Sequence, residues 1–194
     1  MRSVLKFLKP FAPLALAIFL FPSLSSAQYL RTDLVSDTGT AQNPADLDLI
    51  NGWGLVSSAT SPFWVSDNGT GKLTLYSVSN PLQGPTATKL GLVVTIPAAA
   101  AGGQGTPTGI VANEAPSTSP DFTVTDPVSH KSGRAVFIFA TLDGTISGWQ
   151  PTVDPTHAIV AVGRSGVGAS YAAVRSLATH SQQRQLYLCR RQQL

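Results

Sequence analysis

Four short apolar runs recur in the same order between residues 53 and 162, and no other feature of the chain constrains its fold as tightly. The first series is Trp53-Gly54-Leu55-Val56-Ser57, Phe63-Trp64-Val65-Ser66, Lys72-Leu73-Thr74-Leu75-Tyr76-Ser77 and Leu92-Val93-Val94-Thr95-Ile96. The second is Thr108-Gly109-Ile110-Val111, Ala135-Val136-Phe137-Ile138-Phe139-Ala140, Thr145-Ile146-Ser147-Gly148-Trp149 and Ala158-Ile159-Val160-Ala161-Val162. Each run is brief, rich in β-branched and aromatic residues, and bounded by Gly, Pro, Ser or Thr, as strands are. The second and third runs are joined by Asp67-Asn68-Gly69-Thr70-Gly71 in one series and by Asp143-Gly144 in the other. Both are Asx-Gly sequences, and hairpin turns favour them because Gly accepts positive φ without steric cost. No segment sustains a 3.6-residue apolar period. Residues 98–101, all Ala, run into Gly102-Gly103 and are too short to nucleate a helix, so they are expected to be a loop. The chain therefore reads as all-β.

Two successive four-stranded units in matched order are the signature of β-propeller blades. The expected architecture is a partial propeller: blade one over about 52–97, blade two over about 107–163, and the start of a third. A β-sandwich also uses short strands and turns, but the matched order favours blades. Blade sheets stack face to face, so inner strands bury both faces, which fits the unbroken run Val136-Phe137-Ile138-Phe139. Residues 113–132, rich in Pro, Ser and Thr, are expected to be a surface loop, and residues 29–35 an additional strand. Stacked units need neighbours on both sides. Two blades and a fragment should leave one blade face open, with the run 136–139 not fully covered by one neighbour. Residues 28–194 alone are accordingly expected to aggregate or to unfold without cooperativity.

The chain ends differ from this body. Arg2, Lys6 and Lys9 precede an apolar stretch over 11–21, and Ser25-Ser26-Ala27 supplies small residues for cleavage. That is the organisation of a secretory leader, with a mature start near Gln28. The apolar stretch is shorter than the roughly 20 residues that span a bilayer, and no later segment reads as transmembrane. The expected organisation is a signal peptide over 1–27, the partial propeller over 28–174 and an atypical tail over 175–194. The formal charge of +3 belongs to the ends. Residues 28–174 hold six Lys and Arg against all ten Asp and Glu, a net of −4. Without a basic patch for phosphate, nucleic-acid binding is excluded. Cys189 is the only cysteine, so no disulfide holds an exported domain and its core must do so.

Asn51-Gly52-Trp53-Gly54, residues 61–71, Val94-Thr95-Ile96-Pro97, Pro107-Thr108-Gly109 and residues 137–149 together resemble an uncharacterised family of exported bacterial proteins that looks propeller-like. The resemblance runs from about Tyr29 to Tyr171. It implies export from a bacterium to the periplasm, cell surface or medium, and it carries over no catalytic residue. Members of that family are about twice as long, so the chain is expected to be a front half. Past Tyr171 the resemblance fades. Leu188-Cys189-Arg190-Arg191-Gln192-Gln193 stands where a strand like Leu-Tyr-Ala-Ala-Asp is due. Residues beyond about Arg175 are therefore expected to be out of frame, the alternative being a genuine basic, Gln-rich tail.

Motifs for catalysis fail on their residues. Gly163-Arg164-Ser165-Gly166-Val167 lacks the last Gly of a nucleophile elbow. The stretch around Gly69-Thr70-Gly71-Lys72-Leu73 has Ser66 and Leu73 where a P-loop needs Gly and Ser or Thr. His130, His157 and His180 are isolated, and no Cys/His cluster suggests zinc. One constellation remains. In an up-and-down meander, alternate connections share one end of the sheet. That gathers Asn51, Trp53, Asp67, Asn68, the loop 98–107 and Asp143 on one rim. These residues are the candidate ligand-binding set, and their oxygens could hold a hard cation such as Ca²⁺. For Asp67, Asn68 and Asp143 the alternative is turn formation alone. The favoured reading is an exported, non-enzymatic binding or interaction scaffold with a protein or small-molecule partner. The alternative is a Ca²⁺-dependent, lactonase-like hydrolase with oxygen ligands lining the propeller channel.

Overall fold

A computed structural model describes residues 31–41, 43–80, 84–116, 118–177 and 185–190. The leader, and residues 178–184 and 191–194 of the expected tail, lie outside the described residues. The chain divides after Arg31, and the fold is that of the unit that follows.

The first sheet is a meander of β1 (Gly52–Val56), β2 (Phe63–Asp67), β3 (Lys72–Ser79) and β4 (Thr86–Lys89), with β5 (Val94–Thr95) also paired to β3. Then come β6 (Pro107–Ala112), β7 (Thr123–Thr125), β8 (Ser132–Arg134), β9 (Phe137–Thr141), β10 (Thr145–Trp149) and β11 (Ile159–Gly163). The second sheet has the order β11-β10-β9-β6, and β7 and β8 form a separate hairpin. A short 3-10 turn, Ser165–Val167, leads to β12 (Tyr171–Leu177), which pairs with β13 (Gln185–Arg190). Every strand pair is antiparallel. The all-β expectation holds, as does the absence of helix over 98–101. No helix among the described residues is long and apolar enough to cross a membrane.

The five-stranded first sheet and the four-stranded second sheet pack face to face. Trp64, Leu73, Leu75, Val94 and Ile96 from the first meet Ile110, Phe137, Phe139, Trp149 and Ala158 from the second in one buried cluster. At its centre the Trp64 ring lies 4.4 Å from that of Phe137 and 5.0 Å from that of Trp149. Glycine lets the leading strands come together. A Cβ on Gly54 of β1 would stand 2.5 Å from the Thr108 carbonyl oxygen of β6, and one on Gly109 would stand 2.4 Å from the Val174 nitrogen of β12. The Thr108 hydroxyl donates to the Tyr171 carbonyl at 2.8 Å, which ties β6 to β12 as well.

Four expectations need correction. The fourth run of the first series, 92–96, contributes only the two residues of β5, and β4 lies outside it. With eight residues, β3 outlasts the five of β2, so β4 pairs one end of its outer edge and β5 the other. β4 reads Thr-Ala-Thr-Lys with only Ala87 buried, a pattern with no apolar run to recognise. The stretch 113–132 is not simply a surface loop. It supplies β7, and Val124 is buried with Ala135, Ile138 and Ile146 on the far face of the second sheet. Of the expected strand over 29–35, residues 29 and 30 lie outside the described residues and 31–35 form no strand; the Leu34 carbonyl instead accepts from the Asn43 side-chain amide at 2.7 Å. Finally, the run 136–139 is covered. Phe137 and Phe139 lie under the first sheet, while Ile138 lies with Val124 and Tyr171 in the second cluster. Arg175, at the start of the expected tail, lies within β12, and Cys189 lies within β13.

Candidate functional site

The β2–β3 hairpin closes through its Asx-Gly sequence. The Thr70 and Gly71 amides donate to the Asp67 carbonyl at 3.3 and 2.9 Å, and Gly71 has φ +67°. Asn51 takes φ 54° just ahead of β1, a conformation Asn tolerates better than most side chains. The Asn68 amide donates to its carbonyl at 3.1 Å. Much of the expected rim does assemble. The Asn51 side-chain amide donates to Asn68 Oδ1 at 3.2 Å, Trp53 Nε1 donates to Asn51 Oδ1 at 3.2 Å, and Asn68 Nδ2 donates to the Pro107 carbonyl at 3.1 Å. Asp143 organises the loop 98–107 separately. Its Oδ2 accepts from the Ala99 amide at 2.7 Å and its Oδ1 from the Thr106 hydroxyl at 3.3 Å. These polar groups are thus occupied with one another and with the backbone. Among the described residues, no three or more His, Cys, Asp or Glu side chains gather as a metal site.

Asp67 departs from the expected rim. It is fully buried, so it cannot present its carboxyl to a ligand there. By strand register it stands opposite Lys72, on the face of the first sheet turned away from the second. Residues 46–50 cross that face as a strap. Asp46 Oδ2 accepts from the Tyr76 hydroxyl at 2.6 Å, and Asp46 Oδ1 pairs with Lys89 Nζ at 2.5 Å. Asp48 bridges Lys72 at 2.6 Å and Lys89 at 2.7 Å, while the Thr70 hydroxyl donates to its carbonyl at 2.7 Å. Burial opposes ionisation of Asp46, but the bonds from Lys89 and Tyr76 outweigh it and hold the carboxyl below the ordinary aspartate range. The bonds from Lys72 and Lys89 do the same for Asp48. Asp67 moves the other way. Neither of its oxygens has a hydrogen-bond partner, and burial pushes it up to about 7. The Asp46 and Asp48 charges add to this rise, while the Thr74 hydroxyl and Lys89 oppose it. The Thr74 hydroxyl, without a partner in hydrogen-bond geometry, acts on Asp67 as a nearby dipole.

Beside the strap, the same face of the first sheet forms a groove of about 450 Å³. Its floor is Leu55, Phe63, Val65 and Tyr76, and its walls include Leu34, Leu49 and Trp53. Leu55 is 65% exposed and Trp53 47%, so large apolar surface stands open here. Sequence reasoning singled out Trp53 for the rim and missed the groove. The signal was present: Leu55, Phe63, Val65 and Tyr76 are apolar on the strand face opposite Trp64 and Leu75, so both faces of the meander are apolar. The strap network left no such trace, because Asp46 and Lys89 are separated by 43 residues. The chain matches no family model, no curated protein and no solved structure.

Proposed function

We propose that the chain is an exported, non-enzymatic binding scaffold of partial β-propeller type that takes an apolar ligand on the open face of its first sheet. The leader sequence and the resemblance to exported bacterial proteins support export. The two meanders in matched order, stacked face to face, and the glycine-mediated approach of β1, β6 and β12 support the propeller reading. The observation that carries the binding assignment is the groove lined by Leu34, Leu49, Trp53, Leu55, Phe63 and Tyr76. A concave apolar site with a few polar groups at its margin is the usual form of a small-molecule site. The rim is the poorer candidate, because Asn51, Asn68 and Asp143 already spend their polar atoms on internal bonds. A Ca²⁺-dependent hydrolase would need several of those oxygens free and convergent.

The test is fluorescence titration with Nile red, an uncharged apolar dye. Leu55→Asp, at an exposed groove position, is expected to weaken dye binding at least tenfold, whereas Asn68→Ala leaves it unchanged. Equal binding by Leu55→Asp and the parent chain would overturn the assignment. Export is checked by N-terminal sequencing of the secreted protein, which should begin near Gln28. Recovery of intact Met1 would refute it.

A further inference from the structure

The strap over the first sheet is held by charges, and the one acidic side chain beneath it has no partner. Asp67 is completely buried with both oxygens unbonded. A buried carboxyl tolerates this state when neutral, whereas an ionised one without a partner is strongly disfavoured. The groups facing it come from three elements. The strap brings Asp46 and Asp48, β3 brings Lys72, Thr74 and Tyr76, and β4 brings Lys89. β1 places only Gly52 opposite it, so that strand offers no charge. Lys72 is its direct cross-strand neighbour, yet the Lys72 ammonium is taken by Asp48 at 2.6 Å.

We propose that residues 46–50 are a proton-controlled strap, clamped on the sheet while Asp67 is neutral and loosened when Asp67 ionises. An ionised Asp67 has two ways to relieve its charge. It can draw Lys72 away from Asp48, or it can admit water beneath the strap. Either one weakens the Asp48 clamp, and the repulsion from Asp46 and Asp48 acts in the same direction. Burial raises Asp67 to about 7, which puts the transition near neutral pH. Leu49 belongs to both the strap and the wall of the apolar groove. The strap therefore controls the shape of that groove, and this consequence rests on the groove being the binding site.

The test uses hydrogen exchange and carboxyl NMR on the full chain. The Leu49 amide donates to the Asp46 carbonyl at 3.1 Å and the Ile50 amide to the Asp48 carbonyl at 3.0 Å, so both report on the strap. After correction for intrinsic rates, their protection is expected to fall at least tenfold between pH 6 and pH 8.5. Asp67→Asn should abolish that fall. The Asp67 side-chain carboxyl carbon, followed by ¹³C NMR, should titrate near neutrality. Unchanged protection in the parent chain, or a carboxyl titrating in the ordinary range near about 4, would overturn the proposal. Both of these measurements use the parent chain and decide the matter even if Asp67→Asn does not fold. Nile red titrations at the two pH values separate the linked readings. A dye that never binds while protection still falls refutes the groove alone. Tight binding at both pH values with constant protection refutes the strap alone.

Discussion

Gly54 shows how little space separates the leading strands of the two large sheets. A methyl group there would enter the contact distance of the Thr108 carbonyl and of Ile110. Gly54→Ala should therefore destabilise the fold by about 1–3 kcal/mol through overpacking, read as a lower urea midpoint. The carboxylates make a second claim at this scale, in pH. Asp46 and Asp48 are lowered from their usual value of 3.8. The stability they contribute is present above that value and lost as pH falls below it. Asp67 is raised from 3.8 to about 7, so its contribution is greatest below 3.8 and disappears as pH rises through 7. Stability against urea should then peak near 3.8, fall toward acid as Asp46 and Asp48 are protonated, and decline on the alkaline side up to about 7, where it levels off. Asp67→Asn should flatten the alkaline arm while leaving the acid arm in place, and a profile with no alkaline decline in the parent chain would contradict the assignment.

The elements differ in how they are stabilised. β9 and β10 have all five residues buried, because the first sheet covers one face and β12 with the β7–β8 hairpin covers the other. The hairpin does this through Val124, which is 3% exposed, while Val128 at its tip is 84% exposed. Val124→Ala should reduce stability by about 1–3 kcal/mol, since it removes buried methyl groups and leaves a void. Val128→Ala should stay within about 0.5 kcal/mol of the parent, as exposed substitutions do. Equal effects at the two positions, by thermal or urea unfolding, would show that the hairpin does not serve as a cover.

Across the whole molecule, stability depends on the interface between the two large sheets. Trp64, Phe137 and Trp149 make its aromatic centre, with Phe137 and Trp149 6.4 Å apart by ring centroid. Phe137→Ala should destabilise by about 3–5 kcal/mol, with a red shift of tryptophan emission as water reaches Trp64 and Trp149. The opposite face of the first sheet is covered only in part, by the strap 46–50 among the described residues, and the open apolar floor beside the strap is the basis of the binding proposal. The same openness limits the expectation of aggregation to that face, because the run 136–139 is covered. Lower light scattering for Leu55→Asp than for the parent chain at equal concentration would bear this out.

Much of the architecture was legible in short stretches of sequence. Alternation and β-branching marked β1–β3, β6 and β9–β11, and the Asx-Gly pairs marked their hairpins, because strand preference and turn geometry are set by a residue and its immediate neighbours. The short strands β4 and β7 were not legible, since each buries one small or isolated apolar side chain and gains its place only by pairing with a strand already formed. The site followed the same division. The sequence brought Asn51, Trp53 and Asn68 together correctly, as the ends of adjoining strands must meet. It could not tell that Asp67 turns inward. That outcome depends on which sheet face the strap crosses and on whether Lys72 reaches Asp48, 24 residues away, or the nearby Asp67, a choice made only once the chain has folded.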